Sequence, residues 1–208
     1  MTNIVYATTN PVKFKEVSDL FAGHGIVIHA PSEFGLSIDT EETGSTLTAN
    51  AILKAEAYLP HLPAGTIVVS DDTGLEIDAL AGEPGIKVRR WKGYKMEDEE
   101  IISYCLERLK GVEKSKRTAQ FRTVFGVARA GQPTRTFVGE LAGLILDTPH
   151  AIRVPGLPFQ PLFFASDYNL MLYQIHDLPM SEKIAKNITT HRERAVTAAL
   201  PYLRTLNH

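Results

Sequence analysis

The segment Thr66-Ile67-Val68-Val69-Ser70 constrains the fold more than any other part of the chain. A continuous apolar run, unlike an alternating one, belongs in a strand covered on both faces, and such strands lie between layers of helix. Asp71-Asp72-Thr73-Gly74 follows at once and reads as turn chemistry, which places two carboxylates at the carboxyl end of that strand. Adjacent acids in such a place repel each other unless a cation or a shared proton compensates, and burying them without compensation is costly. An ordinary acidic turn has the same four residues, so the pair alone leaves both readings open.

The surrounding segments supply the layers. Asn3 to Ala7 is β-prone, Thr8-Thr9-Asn10-Pro11 is turn chemistry, and Val12, Val17, Leu20 and Phe21 recur at helical spacing through Ala22. Ile26-Val27-Ile28-His29 reads as a second strand, and a helix from about Ser45 to Leu59 follows, capped by Ser45 or Thr46 and ended by Pro60 and Pro63. The acids from Glu97 to Glu100 open a helix that runs to Leu109, since negative charge suits the positive end of the helix dipole. Ala119 to Ala130 and Thr134 to Leu146 read as long strands joined by a hairpin-like turn. A proline-rich irregular stretch from Pro149 to Pro161 follows; the chain then reads as helical from about Lys183 and as an amphipathic helix from His191 to Leu206. The expected class is mixed α/β: a twisted sheet, flanking helices and a hairpin-based second lobe.

The totals exclude several classes. With 208 residues, 44% of them hydrophobic, the chain buries a substantial core, and disorder is not its main state. Its 22 basic and 24 acidic residues leave a formal charge of -2, so no general attraction to nucleic acid or to an anionic membrane is expected. A single cysteine, Cys105, sits in an apolar helical pattern and has no disulfide partner within the chain, which fits a reducing cytoplasm. No apolar run approaches the roughly 20 residues of a membrane span, and the first residues lack the pattern of a secretory signal.

Four patches carry possible chemistry. The loop before the first helix presents Thr8, Thr9, Asn10 and Lys13 at a helix N-terminus, where free amides favour phosphate, though a capped turn with a solvated lysine has the same pattern. Glu41 and Glu42 offer hard oxygen ligands suited to Mg²⁺, or are a solvated loop, and Asn50 and Lys54 lie one turn apart on the helix that follows. The third patch is Asp71-Asp72-Thr73. The fourth, Lys186 with His191 and Arg192, is either a surface basic turn or a helix N-terminus able to read a base edge or hold a phosphate. Arg89 and Arg90 are similarly open.

In this order, the patches resemble the inosine triphosphate pyrophosphatase family over nearly the whole chain. Thr8 to Lys13 is similar to its Thr-Gly-Asn-x-x-Lys loop, and Glu42-Thr43-Gly44 with Asn50 and Lys54 to its Glu-Thr-Gly and Asn-Ala-x-x-Lys segment. Ser70 to Gly85 resembles its Asp-Asp-Ser-Gly-Leu and Pro-Gly run, Arg90-Trp91 its Arg-Tyr, and Thr190-His191-Arg192 its Ser-His-Arg. The resemblance implies a single Mg²⁺-dependent domain over residues 1–208, two lobes around a nucleotide-binding cleft, a homodimer, and hydrolysis of inosine or xanthosine triphosphates and their deoxy forms to monophosphate and pyrophosphate. It implies that Asp72, as general base or metal-held carboxylate, activates water, that Asp71 and Glu42 help it hold the metal, and that Asp71, Lys13 and Lys54 act in catalysis, with both lysines gripping the triphosphate. Thr8, Thr9, Asn10, Lys13, Asn50 and Thr73 go to the triphosphate side, and Arg90, Phe159, Gln160, Lys186, His191 and Arg192 to the nucleotide and base. Gln160 departs from the family's acid, as Thr9 departs from its glycine and Ala49 from its usual glutamate. These departures keep two other readings in view, an altered base preference and a nucleotide-binding homologue without turnover.

Overall fold

The computed structural model describes residues 3–38, 40 and 43–206. It is a mixed α/β fold in which β1 (Ile4–Tyr6) is followed by α1 (Pro11–Ala22), α2 (Leu47–Tyr58), β2 (Ile67–Ile77), the short β3 (Pro84–Gly85) and α3 (Asp98–Arg108). Then come β4 (Thr118–Arg129), β5 (Arg135–Ile145), β6 (Phe163–Ala165), β7 (Leu170–Met171), α4 (Leu172–Asp177), α5 (Met180–Ala185) and α6 (His191–Leu206). Among the described residues the sheet runs in the order β1-β2-β4-β5-β6-β7, with β3 paired to β2. β1 lies parallel to β2, with Ile4, Val5 and Tyr6 opposite Ile67, Val68 and Val69, while the β2–β3, β5–β6 and β6–β7 pairs are antiparallel.

The local chemistry explains the helices. Asn10 caps α1 by accepting from the amides of Val12 and Lys13 at 2.9 and 3.3 Å, Pro11 takes the first turn, and Val17 and Phe21 turn inward. Of the two candidate caps for α2, Thr46 does the work, accepting from the Ala49 amide at 3.1 Å. The acidic first turn and Arg108 in the last turn match the dipole of α3. The β4–β5 turn has Gly131 at φ 79°, in the left-handed region, as a tight connection between neighbouring strands requires.

The chain forms two compact units. The first comprises the described residues up to Thr73, Thr123–Gly139 and the segment from His191; the second comprises Gly74–Arg122 and Glu140–Thr190. The core of the first unit gathers Ile4, Tyr6, Phe21, Ile67, Phe125 and Leu203 with their neighbours, and a smaller cluster surrounds Tyr58. In this unit α6 lies directly on β5: a Cβ added at Gly139 would stand 2.0 Å from the His191 carbonyl oxygen and 2.3 Å from the Ala195 nitrogen. The second unit has its own core, built on Phe121, Phe159, Phe163, Ile101 and Leu172 among others. Cys105 is buried within it, and burial pushes its thiol up to about 12.

Two expectations need correction. β2 does not end at Ser70 but continues through Asp71, Asp72, Thr73 and Gly74 to Ile77, so the acids stand in the middle of an extended strand. Their charges are compensated from other elements, and the backbone has no need to turn away. Ile26 to His29 forms no strand: only His29 makes an isolated bridge, to Val5, Val27 is exposed, and a 3-10 turn starting at Pro31 follows.

Candidate active site

Within the first unit, β1 and the parallel β2 deliver their ends to one place. The Ala7 amide donates to the Val69 carbonyl at 2.7 Å, so the Thr8–Asn10 loop leaves the sheet two residues short of Asp71 on the neighbouring strand. The Asn10 carboxamide caps α1, and the Asn10 backbone amide fixes the loop by donating to Thr8 Oγ1 at 3.2 Å. Lys13, one turn into the helix, then reaches Asp71 Oδ2 at 3.1 Å. Thr73 Oγ1 donates to the same oxygen at 3.1 Å and Arg192 Nε at 3.3 Å, while the Tyr6 hydroxyl donates to Oδ1 at 2.5 Å. Arg192 Nη1 also pairs with Glu16 at 2.6 Å.

Asp72, on the opposite face of the strand, is held from α2. Lys54 Nζ donates to its Oδ1 at 2.9 Å and to the Asp71 carbonyl at 3.2 Å. Asn50 Nδ2 donates to Oδ2 at 3.1 Å, and Asn50 Oδ1 accepts from the Gly44 amide at 2.8 Å. Gly44 has no room for a side chain, since a Cβ there would meet Asn50 Oδ1 at 2.5 Å. Thr73 completes the constellation through Thr123, at 2.8 Å.

Three cations, Lys13, Lys54 and Arg192, therefore face three carboxylates, Asp71, Asp72 and Glu16. Burial alone pushes the Asp71 carboxyl upward, but Lys13, Arg192 and Lys54, with the Tyr6 hydrogen bond, more than offset it and hold Asp71 well below the usual carboxylate range. Burial and the Asp71 charge raise the Tyr6 phenol, which stays protonated and donates. Burial works against the Arg192 charge, yet Glu16 and Asp71 outweigh it, and the guanidinium is held more firmly charged than usual. For Lys13 the balance reverses: burial, with Arg192 and Lys54, outweighs Asp71 and lowers the ammonium. Its side chain remains 20% exposed and that of Lys54 14%, against 2% for Arg192, so the two lysines are the cations of the cluster with access to an incoming anion.

The structure thus brings together Thr8, Asn10, Lys13, Asn50, Lys54, Asp71, Asp72, Thr73 and Arg192. Thr9 sits exposed in the same loop, and His191 is buried at the start of α6. Glu42 lies outside the described residues, and among the described residues no three His, Cys, Asp or Glu side chains gather as a metal cage. Tyr6, Glu16 and Thr123 are members that the sequence did not disclose. Only Glu16 left a trace there, one helical turn after Lys13.

The sequence model of the Ham1 family matches residues 4–202. The chain belongs to the Ham1 family. Among its relatives is the dITP/XTP pyrophosphatase of Bacillus subtilis strain 168, 35% identical over 198 residues that cover 94% of each chain. The Ham1 protein of Staphylococcus aureus superposes with a TM-score of 0.78 at 31% identity, covering 98% of this chain and 99% of the other. A HAM1 protein of Coxiella burnetii gives 0.79 at 29%, covering 99% of this chain and 100% of the other.

The remaining nominated residues of this Ham1 protein lie in the second unit. Phe159 is a core residue, its ring tilted against Trp91 and edge-on to Phe121, with centroids 6.5 and 6.3 Å away. Gln160 is buried beside it, and its amide meets His176 Nδ1 of α4. Arg90 is exposed on a 3-10 turn, and Lys186 is exposed and paired with Glu182 at 2.6 Å. The tilted Phe159 ring and the Gln160 amide nitrogen are thus occupied by protein neighbours.

Proposed function

We propose that this Ham1 protein hydrolyses non-standard purine nucleoside triphosphates, of the dITP, ITP and XTP class, to the monophosphate and pyrophosphate. One observation carries the reading: a charge-balanced cluster of acids and lysines beside the capped N-terminus of α1. A helix N-terminus with an adjacent lysine receives phosphate oxygens, and a fixed carboxylate next to it orients water. The names of the relatives support the substrate class.

In this reading Thr8, Thr9, Asn10, Lys13 and Lys54 meet the triphosphate. Asp72, held by Asn50 and Lys54, takes a proton from water as the oxygen attacks the α-phosphorus; the bond to the bridging oxygen breaks and pyrophosphate leaves, its charge met by the lysines. Asp71 is an anchor for Lys13 and Arg192. Because the described cluster is already balanced, a triphosphate must bring compensating positive charge with it. Asp72 offers the hard oxygens that Mg²⁺ accepts, and Mg²⁺ is commonly held by one or two carboxylates plus substrate phosphates. Bound there with Glu42, it would neutralise phosphate charge. The whole chain, 1–208, acts in this reading as one catalytic domain, as a homodimer in the cytoplasm.

A triphosphate panel with and without Mg²⁺ tests the reading. Pyrophosphate is expected as the first product from dITP, ITP or XTP, and orthophosphate as the first product overturns it. Gln160, neutral and turned to His176, favours a second reading in which base preference is altered. Faster release from a pyrimidine triphosphate in the same panel would select that reading.

A further inference from the structure

We infer that Tyr6 is a positioning residue for the hydrolysis, its buried hydroxyl fixing the Asp71 carboxylate on which Lys13 and Arg192 are aimed; this rests on the pyrophosphatase reading above. Register explains how a tyrosine comes to be there. Tyr6 stands opposite Val69, and Asp71 is the next residue of β2 on the same face. Ile4, Tyr6, Ile67 and Val69 line that face inside one apolar core, so the ring occupies core space while its length carries the hydroxyl one pleat further, to Asp71. The ring is fully buried, stacked 6.4 Å from Phe14 and tilted 6.3 Å from Phe125.

The division of labour on Asp71 is unequal. Oδ2 receives Lys13, Thr73 and Arg192, whereas among the described residues Tyr6 is the donor that reaches Oδ1. A buried carboxylate oxygen deprived of its donor seeks another, and here the groups within reach are those already holding Oδ2. Rotation of the carboxylate to share them would draw the Lys13 ammonium from the place in which it meets the triphosphate and disturb the Arg192 guanidinium packed beside it. A phenylalanine at position 6 would fill the core equally well, so the hydroxyl answers to the acid and not to the packing.

The test compares pyrophosphate release by the wild-type protein, Tyr6→Phe, a second hydroxyl-free variant, Tyr6→Met, and Phe125→Leu, which disturbs the packing of the ring but keeps the hydroxyl. Methionine adapts to irregular core space, so one of the two Tyr6 variants suffices if the other does not fold. Thermal unfolding is recorded for each. We expect the hydroxyl-free variants to lose about tenfold in kcat with KM within threefold, because Thr8, Asn10 and Lys54 still bind the ground state. Phe125→Leu should keep kcat within twofold even where its Tm falls as far. A kcat within twofold of wild type in a folded Tyr6 variant overturns the inference, as does an equal loss in Phe125→Leu, or failure of both Tyr6 variants to fold. Absence of pyrophosphate release by the wild-type protein overturns the functional reading itself, and this inference with it.

Discussion

Arg192 in the first unit and Arg117 in the second are both buried guanidinium groups, yet they are used in opposite ways. Arg117 donates to the carbonyls of Leu109 and Val112, each at 3.0 Å, and closes the C-terminal end of α3, where a cation meets the negative end of the helix dipole. Both of these partners are neutral backbone groups. Arg192 instead meets the carboxylates of Asp71 and Glu16, and its neighbours are themselves ionised. A buried ion pair is seldom a net gain over apolar packing, because desolvation takes back most of the attraction. The first unit therefore carries a costly arrangement that its stability does not require, and such an arrangement is what chemistry on a polyanion calls for.

The largest effect expected from this contrast is on folding. Arg192→Met removes a cation from the buried Asp71 carboxylate and from the partly buried Glu16, a loss of about 3–5 kcal/mol. Arg117→Met gives up two neutral acceptors and should cost about 1–2 kcal/mol. Urea unfolding of the two variants measures both, and equal losses would break the comparison. Next comes chemistry: Asp72→Asn should lower kcat by about 10²-fold or more, roughly 2.7 kcal/mol in barrier, while the triphosphate still binds. Near-normal turnover in that variant would remove Asp72 from the role of base.

Acid separates the units further. Asp71 is held below its ordinary range in the folded state, so its contribution to stability is complete above the unfolded value of about 4 and drains away as the pH falls below it. Melting temperature should therefore fall between about pH 5 and pH 2, less steeply in Asp71→Asn than in the wild-type protein. Parallel curves would mean that other carboxylates carry the acid sensitivity. The smallest effect belongs to the surface of the second unit, where Lys116 and Glu113 pair at 3.1 Å with both side chains in solvent. Lys116→Ala should shift stability by no more than about 0.5 kcal/mol in the same urea experiment.

Much of the fold could be read in the sequence, and the parts that could not share a cause. Asn10 and Thr46 cap through amides two or three residues away, and the acids of α3 meet the dipole of their own first turn, so local spacing is enough to place α1, α2 and α3. The sequence does not show where β2 ends because Asp-Asp-Thr-Gly is good turn chemistry by every local criterion. What keeps it extended is compensation by Lys13 and Arg192, which stand 58 and 121 positions from Asp71 along the chain. Tyr6 was hidden for a related reason: at alternate spacing in an apolar strand a tyrosine looks like core filling, and only the register with β2 shows where its hydroxyl ends. Glu16 finds Arg192 across 176 positions, and no periodicity spans that distance. The motifs name the candidate residues, whereas the partners that hold them are tertiary.

Gly139 contributes no functional group, and yet it bears on all of these distances. With a Cβ at that position only 2.0 Å from the His191 carbonyl oxygen, even alanine would force the first turn of α6 away from β5. Arg192 is the second residue of that turn, and its bonds to Asp71 and Glu16 are 3.3 and 2.6 Å long, with little slack to follow. A hydrogen atom in place of a methyl group, on the strand under α6, is thus what lets an arginine reach the acid it must neutralise.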